Sequence, residues 1–453
     1  MPPPWRYPAV IAFSAALSCP VAELTPAAAR EPYRRVLISS SLSMNVDPNL
    51  FYRDVTLSRY AVPECPTPWW VRKYQLFGGK QENVHVIWID NGKLQICLIP
   101  TRGMGILSVY MNGARVLGWD SPVREIVHPS FVNLQSRGGR GWLEGFSEWL
   151  CRAGLEWNGQ PGTDRFLNHL GQETTIDLTL HGRIANLPAQ EVELLAEREP
   201  PFRIAVRARI DERMMHGPKL ELVTELWIEP GSARFQIADA VTNRGTREQE
   251  FGLIYHANFG PPLLEEGSQV VAPVSLVTPL TEHSARDVAR YDQFDGPTPG
   301  FLEQFYGIRL LADRDGQTQV LLRNRSGDRA ASFRYSTREL PFLTLWKNTA
   351  APEDGYVVGI APGTNYPHPR PFERQRGRVP KLAPGASAFM NLEVAIHANA
   401  EEVQEVTRAI ARIQNGRRPT LLNQPEKNEG GDLPGRSASH PSPPNASRPQ
   451  GSG

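Results

Sequence analysis

Short runs in which apolar and polar residues alternate dominate the chain from about residue 50 to residue 395. In the run 220–228, Leu-Glu-Leu-Val-Thr-Glu-Leu-Trp-Ile, large apolar side chains recur at nearly every second position. This is the period of a strand with one buried face. Similar runs lie at 83–90, 93–100, 106–111, 115–119, 191–196, 202–210, 234–241, 249–255, 318–324, 331–335, 342–346, 355–360 and 389–395. The pattern predicts an all-β protein.

Two Asn-Gly dipeptides indicate how the first strands are connected. Asn91-Gly92 separates the runs 83–90 and 93–100, and Asn112-Gly113 follows the run 106–111. Asn-Gly supplies the positive φ angles of a tight hairpin turn. Because consecutive hairpins form antiparallel neighbours and not parallel crossovers, we predict a large antiparallel β-sandwich.

The C-terminal part contains the one helix that the pattern predicts, over residues 399–416. Asn399 can cap the first turn, and apolar residues recur every three or four positions until Gly416. The tail 417–453 is rich in Pro, Gly, Ser and charge, a composition typical of disorder. The predicted domain therefore covers residues 50–398, followed by the helix and a disordered tail.

The N-terminal segment 1–45 lies outside the predicted domain, and we expect it to be disordered. Its apolar stretch 9–22 is too short to span a bilayer and resembles the core of a signal peptide, with Ala at 27–29 as a cleavage zone. A second interpretation is an extension ahead of a start at Met44. The alternatives leave a cytoplasmic location open beside a periplasmic or secreted one, the latter if 1–29 act as a signal peptide.

Charge and cysteine content exclude several classes of function. The 49 Lys and Arg nearly balance the 48 Asp and Glu, which argues against nucleic acid as the main partner. The four cysteines, at 19, 65, 97 and 151, form no CxxC pair, and neither a metal-type histidine motif nor a nucleotide-binding glycine loop occurs. We therefore predict neither a metal nor a cofactor.

The stretch 178–188, Leu-Thr-Leu-His-Gly-Arg-Ile-Ala-Asn-Leu-Pro, carries the first candidate chemistry. If a strand continues through it, His181 and Arg183 point to one face, and Gly182 lets a ligand approach closely. A titratable group beside a cation suits a polyhydroxylated or anionic ligand. The alternative is a histidine satisfied by a backbone carbonyl and an arginine on a solvated edge.

Other segments add candidates. A strand delivers His256 to its end, just before a Gly-Pro-Pro loop, and Trp346 lies beside a lysine near a turn. Residues 128–172 are rich in Gly, Trp, Phe and Arg and show weak periodicity. They predict a long ordered loop or short helix that either is functional or covers one end of a sheet.

Together these motifs resemble the aldose 1-epimerase family, and more narrowly an uncharacterised branch of the galactose mutarotase-like superfamily. The similarity covers about residues 70–395. Its motifs are Gly-Leu at 154–155, Leu-His-Gly-Arg-Ile-Ala-Asn-Leu-Pro-Ala at 180–189, Asp239 with Asn243, Tyr-His-Ala-Asn-Phe-Gly at 255–260 and Gly-Ile-Ala-Pro-Gly-Thr-Asn at 359–365. The resemblance implies a β-supersandwich with a sugar cleft across its concave face.

The resemblance also implies roles for single residues. In that family one histidine protonates the ring oxygen of an aldose, a carboxylate takes the proton of the anomeric hydroxyl, and reclosure of the opened ring gives the other anomer. His256 matches the acid, and His181 matches the histidine that orients the substrate. The expected substrate-binding residues are Arg102, Arg183, Asp239, Trp346 and Asn365.

One position departs from the family pattern. Where the family has Gly-Leu-Glu-Pro, this chain has Gly-Ile-Ala-Pro, and Ala361 cannot accept a proton. Glu373 and Glu148 are alternative bases. Three hypotheses stay open: an anomer-interconverting enzyme, a non-catalytic carbohydrate-binding protein, or another sugar-processing enzyme such as a lyase or hydrolase. The arginines in 137–152 add the hypothesis of an acidic sugar.

Overall fold

The structure is a computed structural model that describes residues 30–40 and 54–427, most of them in or between strands. The strands are β1 (Tyr33–Ser39), β2 (Val55–Ser58), β3 (Trp70–Gln75), β4 (His85–Asp90), β5 (Leu94–Ile99), β6 (Gly105–Met111), β7 (Ala114–Leu117), β8 (Leu150–Leu155), β9 (Gly162–Leu167), β10 (Glu173–Leu178), β11 (Glu191–Ala196), β12 (Ile204–Arg213), β13 (Lys219–Ile228), β14 (Arg234–Asn243), β15 (Gln249–Glu250), β16 (Gly252–Phe259), β17 (Gln269–Val271), β18 (Val274–Pro279), β19 (Gln304–Leu310), β20 (Gln317–Arg323), β21 (Ala330–Ser336), β22 (Phe342–Asn348), β23 (Val357–Gly363), β24 (Lys381–Leu382), β25 (Ser387–His397) and β26 (Thr420–Leu421). The α-helices are α1 (Ser136–Gly139), α2 (Glu282–Ala285), α3 (Arg370–Gln375) and α4 (Ala400–Gln414).

Two large sheets carry the architecture. The smaller has nine strands in the order β1-β11-β12-β13-β14-β25-β21-β20-β17. The larger has thirteen, in the order β2-β3-β4-β5-β6-β8-β16-β23-β22-β19-β18-β26, with β7 paired to β6. Among the described strands the pairing is antiparallel except between β18 and β26. The prediction of an all-β antiparallel supersandwich is confirmed.

Local sequence explains the best-predicted elements. Leu222 and Leu226 in β13 are buried, while the intervening residues are more exposed or polar. At the turn between β6 and β7, Asn112 and Gly113 both have positive φ (54° and 77°), which suits a two-residue hairpin. In α4, the predicted C-terminal helix, the side chain of Asn399 accepts a hydrogen bond from the backbone nitrogen of Glu402 at 2.9 Å.

Three expectations about local structure need correction. The segment 128–172 was expected to be a loop or short helix, but it contains strands β8 and β9. Residues 33–39 of the segment 1–45 form strand β1, paired with β11. Residues 420–421 of the tail 417–453 pair with β18. The signal-like stretch 9–22 and residues 428–453 lie outside the described residues.

Strand β8 was missed because it is buried on both faces and therefore does not alternate. All six of its residues are buried, including Arg152. In the larger sheet it lies between β6 and β16, and β16 in turn pairs with β23. These central strands position the candidate site.

Candidate functional site

Strand β16 orients His256 away from the interior of the sandwich. Its neighbours Tyr255 and Ala257 pack in the core between the two sheets. Because successive side chains of a strand point to opposite faces, His256 lies on the other face of the large sheet, called here the site face. Gly359 of the neighbouring strand β23 lies against the imidazole, since a Cβ atom at this position would be 3.5 Å from Cε1 of His256.

A turn, and not a strand, presents His181. Strand β10 ends at Leu178, and both His181 and Gly182 have positive φ (59° and 70°). The backbone of His181 is fixed on both sides, since its carbonyl accepts from Gly154 N at 3.0 Å and its N–H donates to Gly159 O at 2.9 Å. The expectation that His181 and Arg183 share a face of a strand is therefore wrong, and Arg183 is exposed.

The two histidines, 75 positions apart in the chain, meet on the site face. Their ring centroids are 5.1 Å apart with an interplanar angle of 70°; we call them the histidine pair. Trp142 lies edge-on to His181 at 4.8 Å, and Phe146 lies edge-on to His256 at 5.5 Å. Both aromatics come from the glycine-rich segment 136–146, which covers the pair and leaves its residues only 8% and 9% exposed.

Hydrogen bonds define which ring nitrogen of each histidine carries the proton. Nδ1 of His181 lies 3.0 Å from the carbonyl oxygen of Asn158, which can only accept, so Nδ1 donates. Nδ1 of His256 lies 2.6 Å from Oδ1 of Asn258. The amide nitrogen of Asn258 donates to the carbonyl oxygens of Glu148 and His256, so Nδ1 of His256 donates as well.

Both Nε2 atoms are consequently lone-pair acceptors when the rings are neutral. Within residues 30–40 and 54–427, neither Nε2 has a hydrogen-bond partner. Burial, with a smaller contribution from the neighbouring His181, lowers the pKa of His256 to about 3. Burial lowers the pKa of His181 to about 4. At neutral pH the pair therefore offers two acceptors suited to hydroxyl donors.

Trp346 forms an aromatic surface beside the pair. Its ring centroid lies 5.7 Å from that of His256 and 6.2 Å from that of Phe146, and the residue is half-buried. Its indole nitrogen donates to Oε2 of Glu303 at 2.9 Å. Glu303 is not among the residues predicted from the sequence, because its approach to Trp346 depends on the pairing of β19 with β22.

Arg102 and Glu148 are both completely buried, and they pair with each other. Nε of Arg102 lies 2.5 Å from Oε1 of Glu148. One guanidinium nitrogen also donates to the carbonyl of Val127 and to Oδ1 of Asn186, each at 3.0 Å. Glu148, an expected alternative base, thus neutralises an arginine that was expected to bind the substrate.

Asp239 lies between the sheets and not on the site face. Its carboxylate accepts two hydrogen bonds from Arg152, at 2.5 and 2.9 Å, and one from the hydroxyl of Tyr255 at 2.9 Å. We call Arg152 and Asp239 the inter-sheet ion pair, because β8 and β14 belong to different sheets. The structure does not bring Asp239 to the histidine pair.

Of two more predicted residues, Asn365 supports the site indirectly, whereas Glu373 is held by an arginine. The side chains of Asn365 and Asn158 exchange two hydrogen bonds, at 2.8 and 2.9 Å, so Asn365 braces the residue that anchors His181. Glu373 is fully buried and paired through both oxygens with Arg378. Burial raises the pKa of Glu373, and Arg378 opposes the shift.

Position 361, where the resemblance places a carboxylate, lies on the site face, because the pairing of Ala257 with Ile360 puts it opposite His256. Ala361 is buried and packs against Ala153 and Ile254. On the neighbouring strand it is paired with Thr344, whose hydroxyl is buried and has no hydrogen-bond partner among the described residues. No group at position 361 itself can exchange a proton.

In residues 30–40 and 54–427, no three His, Cys, Asp or Glu side chains are grouped so as to hold a metal ion. Over the same residues, no helix has the length and apolar character that crossing a membrane requires.

Comparisons with known proteins agree with this architecture. The family described as a domain of unknown function (DUF4432) matches residues 81–396. A candidate aldose 1-epimerase from Klebsiella pneumoniae subsp. pneumoniae MGH 78578 is 36% identical, with a TM-score of 0.80, covering 88% of this chain and 100% of the other. A galactose mutarotase-like protein from Clostridium acetobutylicum shares the fold at 14% identity, with a TM-score of 0.50, over 73% and 99% of the two chains. No functionally curated protein matches the sequence.

Proposed function

The chain belongs to the DUF4432 family within the aldose 1-epimerase (galactose mutarotase-like) superfamily, and we propose that it binds an aldose and interconverts its anomers. One observation carries the proposal. Two neutral histidines meet on one face, each anchored through Nδ1 and each with an Nε2 that has no hydrogen-bond partner in the described part of the chain. Convergent, pre-oriented groups of this kind are typical of a ligand site.

The chemistry of these groups favours a neutral sugar. Hydroxyl groups donate hydrogen bonds, and both Nε2 atoms accept them. The half-buried ring of Trp346 offers an aromatic face for the apolar C–H face of a pyranose. Among the arginines that prompted the hypothesis of an acidic sugar, Arg152 is held by Asp239 and Arg137 is exposed. Arg140 is also exposed, but its charge lowers the pKa of Glu303 beside Trp346, so comparing the binding of a uronic acid with that of its neutral parent tests this preference.

In the proposed reaction, Nε2–H of protonated His256 donates to the ring oxygen while a base takes the proton of the anomeric hydroxyl. His181 accepts a hydrogen bond from a sugar hydroxyl and orients the ring. Because burial holds the pKa of His256 at about 3, the protonated form is scarce at pH 7. We therefore expect turnover to rise as the pH falls from about 8 to about 6.

The experiment is anomer exchange by NMR with a panel of neutral aldoses. We expect purified protein to accelerate exchange of at least one aldose above the spontaneous rate, and more strongly at pH 6 than at pH 8. The spontaneous exchange at each pH is subtracted as the control. An unchanged rate for every aldose would contradict the proposal.

A second candidate function is carbohydrate binding without catalysis. Two observations favour it: Ala361 occupies the position of the expected base, and burial disfavours the protonated form of His256. Titration of the same aldoses distinguishes the two functions, because a pure binding protein binds a sugar without accelerating exchange. A lyase or hydrolase activity rests on the fold alone.

A further inference from the structure

Anomer interconversion needs a second proton-transfer group, and the alternatives at 148 and 373 are already occupied. Both carboxylates are fully buried, and each is paired with an arginine, Glu148 with Arg102 and Glu373 with Arg378. Using either as a base would leave a buried guanidinium without its partner, at a cost of about 3–5 kcal/mol. Neither carboxylate is therefore suited to be the second proton-transfer group.

Glu303 lies on the site face, immediately before strand β19. In the pairing of β19 with β22, Phe305 is opposite Trp346. Since side chains two positions apart share a face, Glu303 points to the same face as Trp346. The hydrogen bond from the Trp346 indole nitrogen to Oε2 of Glu303, at 2.9 Å, agrees with this placement.

A single indole ring separates the Glu303 carboxylate from His256. The ring of Trp346 contacts the imidazole on one side and donates its N–H to Glu303 on the other. Gly359 makes this close arrangement possible, because a Cβ there would lie 3.1 Å from Trp346 and 3.5 Å from His256. A sugar stacked on the indole would therefore have an imidazole at one edge and a carboxylate at the other.

The Glu303 carboxylate is also available for reaction. Only Oε2 is used, by Trp346, and Oε1 has no hydrogen-bond partner among residues 30–40 and 54–427. Part of the side chain is exposed. The protein around the carboxyl nevertheless raises its pKa, while Trp346 and Arg140 oppose the shift. A carboxylate whose pKa is shifted towards neutrality is better suited to accept a proton.

We propose that Glu303 is the catalytic base of this protein, replacing the carboxylate that is absent at position 361. The proposal rests on the anomer interconversion proposed above. Glu303 takes the proton of the anomeric hydroxyl, the C1–O5 bond breaks as C1=O1 forms, and O5 receives the Nε2 proton of His256. Rotation about C1–C2 and the reverse steps give the other anomer, return both protons and consume no co-reactant.

Placing a carboxylate on the far side of the sugar from His256 also addresses the low pKa of that histidine. An ionised Glu303 stabilises protonated His256 by Coulombic attraction, more strongly once the sugar has displaced water. In the reactive state His256 is protonated and Glu303 is ionised, so these two groups together hold one proton.

The test compares Glu303→Gln and Glu303→Asp with the wild-type protein. The matched control is Glu405→Gln, which removes a carboxylate from the exposed face of α4. Anomer exchange by NMR gives kcat and KM, and calorimetric titration with the same aldose gives Kd. For Glu303→Gln we expect kcat to fall about 10²–10⁴-fold while Kd changes by less than about threefold. Glu303→Asp should retain part of the activity.

The outcomes separate this proposal from the proposed function. If wild-type protein accelerates exchange and Glu303→Gln retains kcat within about threefold, the assignment of Glu303 is overturned while anomer interconversion stands. A higher KM with unchanged kcat overturns it too, because Glu303 then only binds the sugar. If the wild-type protein does not accelerate exchange, both proposals fail together.

Discussion

The histidine pair and the inter-sheet ion pair contain buried polar groups of opposite character. Between the sheets, Arg152 and Asp239 satisfy each other through two hydrogen bonds, and Tyr255 adds a third to Asp239. On the site face, each histidine uses one nitrogen for the protein and leaves the other unpartnered among the described residues. An unused hydrogen-bonding atom, and not burial or charge, therefore distinguishes the candidate ligand site from the structural ion pair.

The same comparison explains why unpartnered atoms alone do not define a site. Nε2 of His368 is also buried and has no hydrogen-bond partner within residues 30–40 and 54–427, and burial lowers the pKa of His368 to about 3. However, its ring packs against Phe372 and Tyr366, and no second histidine ring lies beside it among the described residues. Convergence of several free groups on one face is what sets the histidine pair apart.

The largest expected effect comes from breaking the inter-sheet ion pair. Asp239→Asn leaves the guanidinium of Arg152 buried without a counter-charge, and we expect the free energy of unfolding to fall by about 3–5 kcal/mol. Urea denaturation measures this loss, and anomer exchange per folded molecule should not change. The control is Glu225→Gln, which removes a partly exposed pair with Arg207 and should cost less than about 1 kcal/mol. A loss of sugar affinity at unchanged stability would instead return Asp239 to the list of substrate-binding residues.

Removing the free nitrogen of His256 should cost activity more than stability. In His256→Asn, the shorter amide can still donate to Oδ1 of Asn258 but has no group at the position of Nε2. We expect kcat for anomer exchange to fall about a hundredfold, which corresponds to about 2.7 kcal/mol. His368→Asn is the control, since it removes a buried histidine outside the site. Equal effects of the two substitutions on exchange would contradict the assignment of His256.

The pH dependence of stability should also reveal the neutral pair. The pKa of His256, about 3 in the folded protein, lies below its ordinary value of 6.5, so the unfolded chain binds more protons between these pH values. Stability therefore falls on acidification, and His256 contributes a loss of about 2 kcal/mol between pH 7 and pH 5. Urea unfolding of His256→Asn at both pH values should show a loss that is smaller by this amount. An unchanged difference would mean that His256 is protonated in the folded state.

Sequence patterns predicted most of the fold because most strands have one polar face. The alternation in 220–228 and the Asn-Gly turns depend on neighbours along the chain, so they are visible in one sequence. Strand β8 does not alternate, because Arg152 is buried as well. Its partner is the carboxylate of Asp239, which lies 87 positions away in the chain. Local periodicity cannot contain that information.

The site was predictable in part for the same reason. The motifs around His181 and His256 indicated both histidines, and the structure brings the two rings together. The turn at His181 was not predictable, because backbone contacts with Gly154 and Gly159 fix its positive φ. Glu303 gave no signal, since its role depends on the register between β19 and β22. Pairing across strands, and not local sequence, determines this part of the site.

The smallest expected effect tests the link between the two proposed proton-transfer groups. Trp346→Phe keeps an aromatic ring beside His256 but removes the N–H that donates to Glu303. Because the carboxylate loses one hydrogen bond and not its charge, we expect kcat for anomer exchange to fall about threefold, or about 0.6 kcal/mol.

The pKa of Glu303 should rise, since the indole hydrogen bond lowers it. Because the pKa of His256 is about 3 and lies below the raised pKa of Glu303, Glu303 governs the basic limb of the pH profile of kcat/KM. That limb should then move to higher pH. Trp88→Phe, which removes an indole hydrogen bond to Tyr74 far along the same sheet, is the matched control. If both substitutions leave that limb in place, the indole of Trp346 does not tune the carboxylate, and its contribution is limited to stacking.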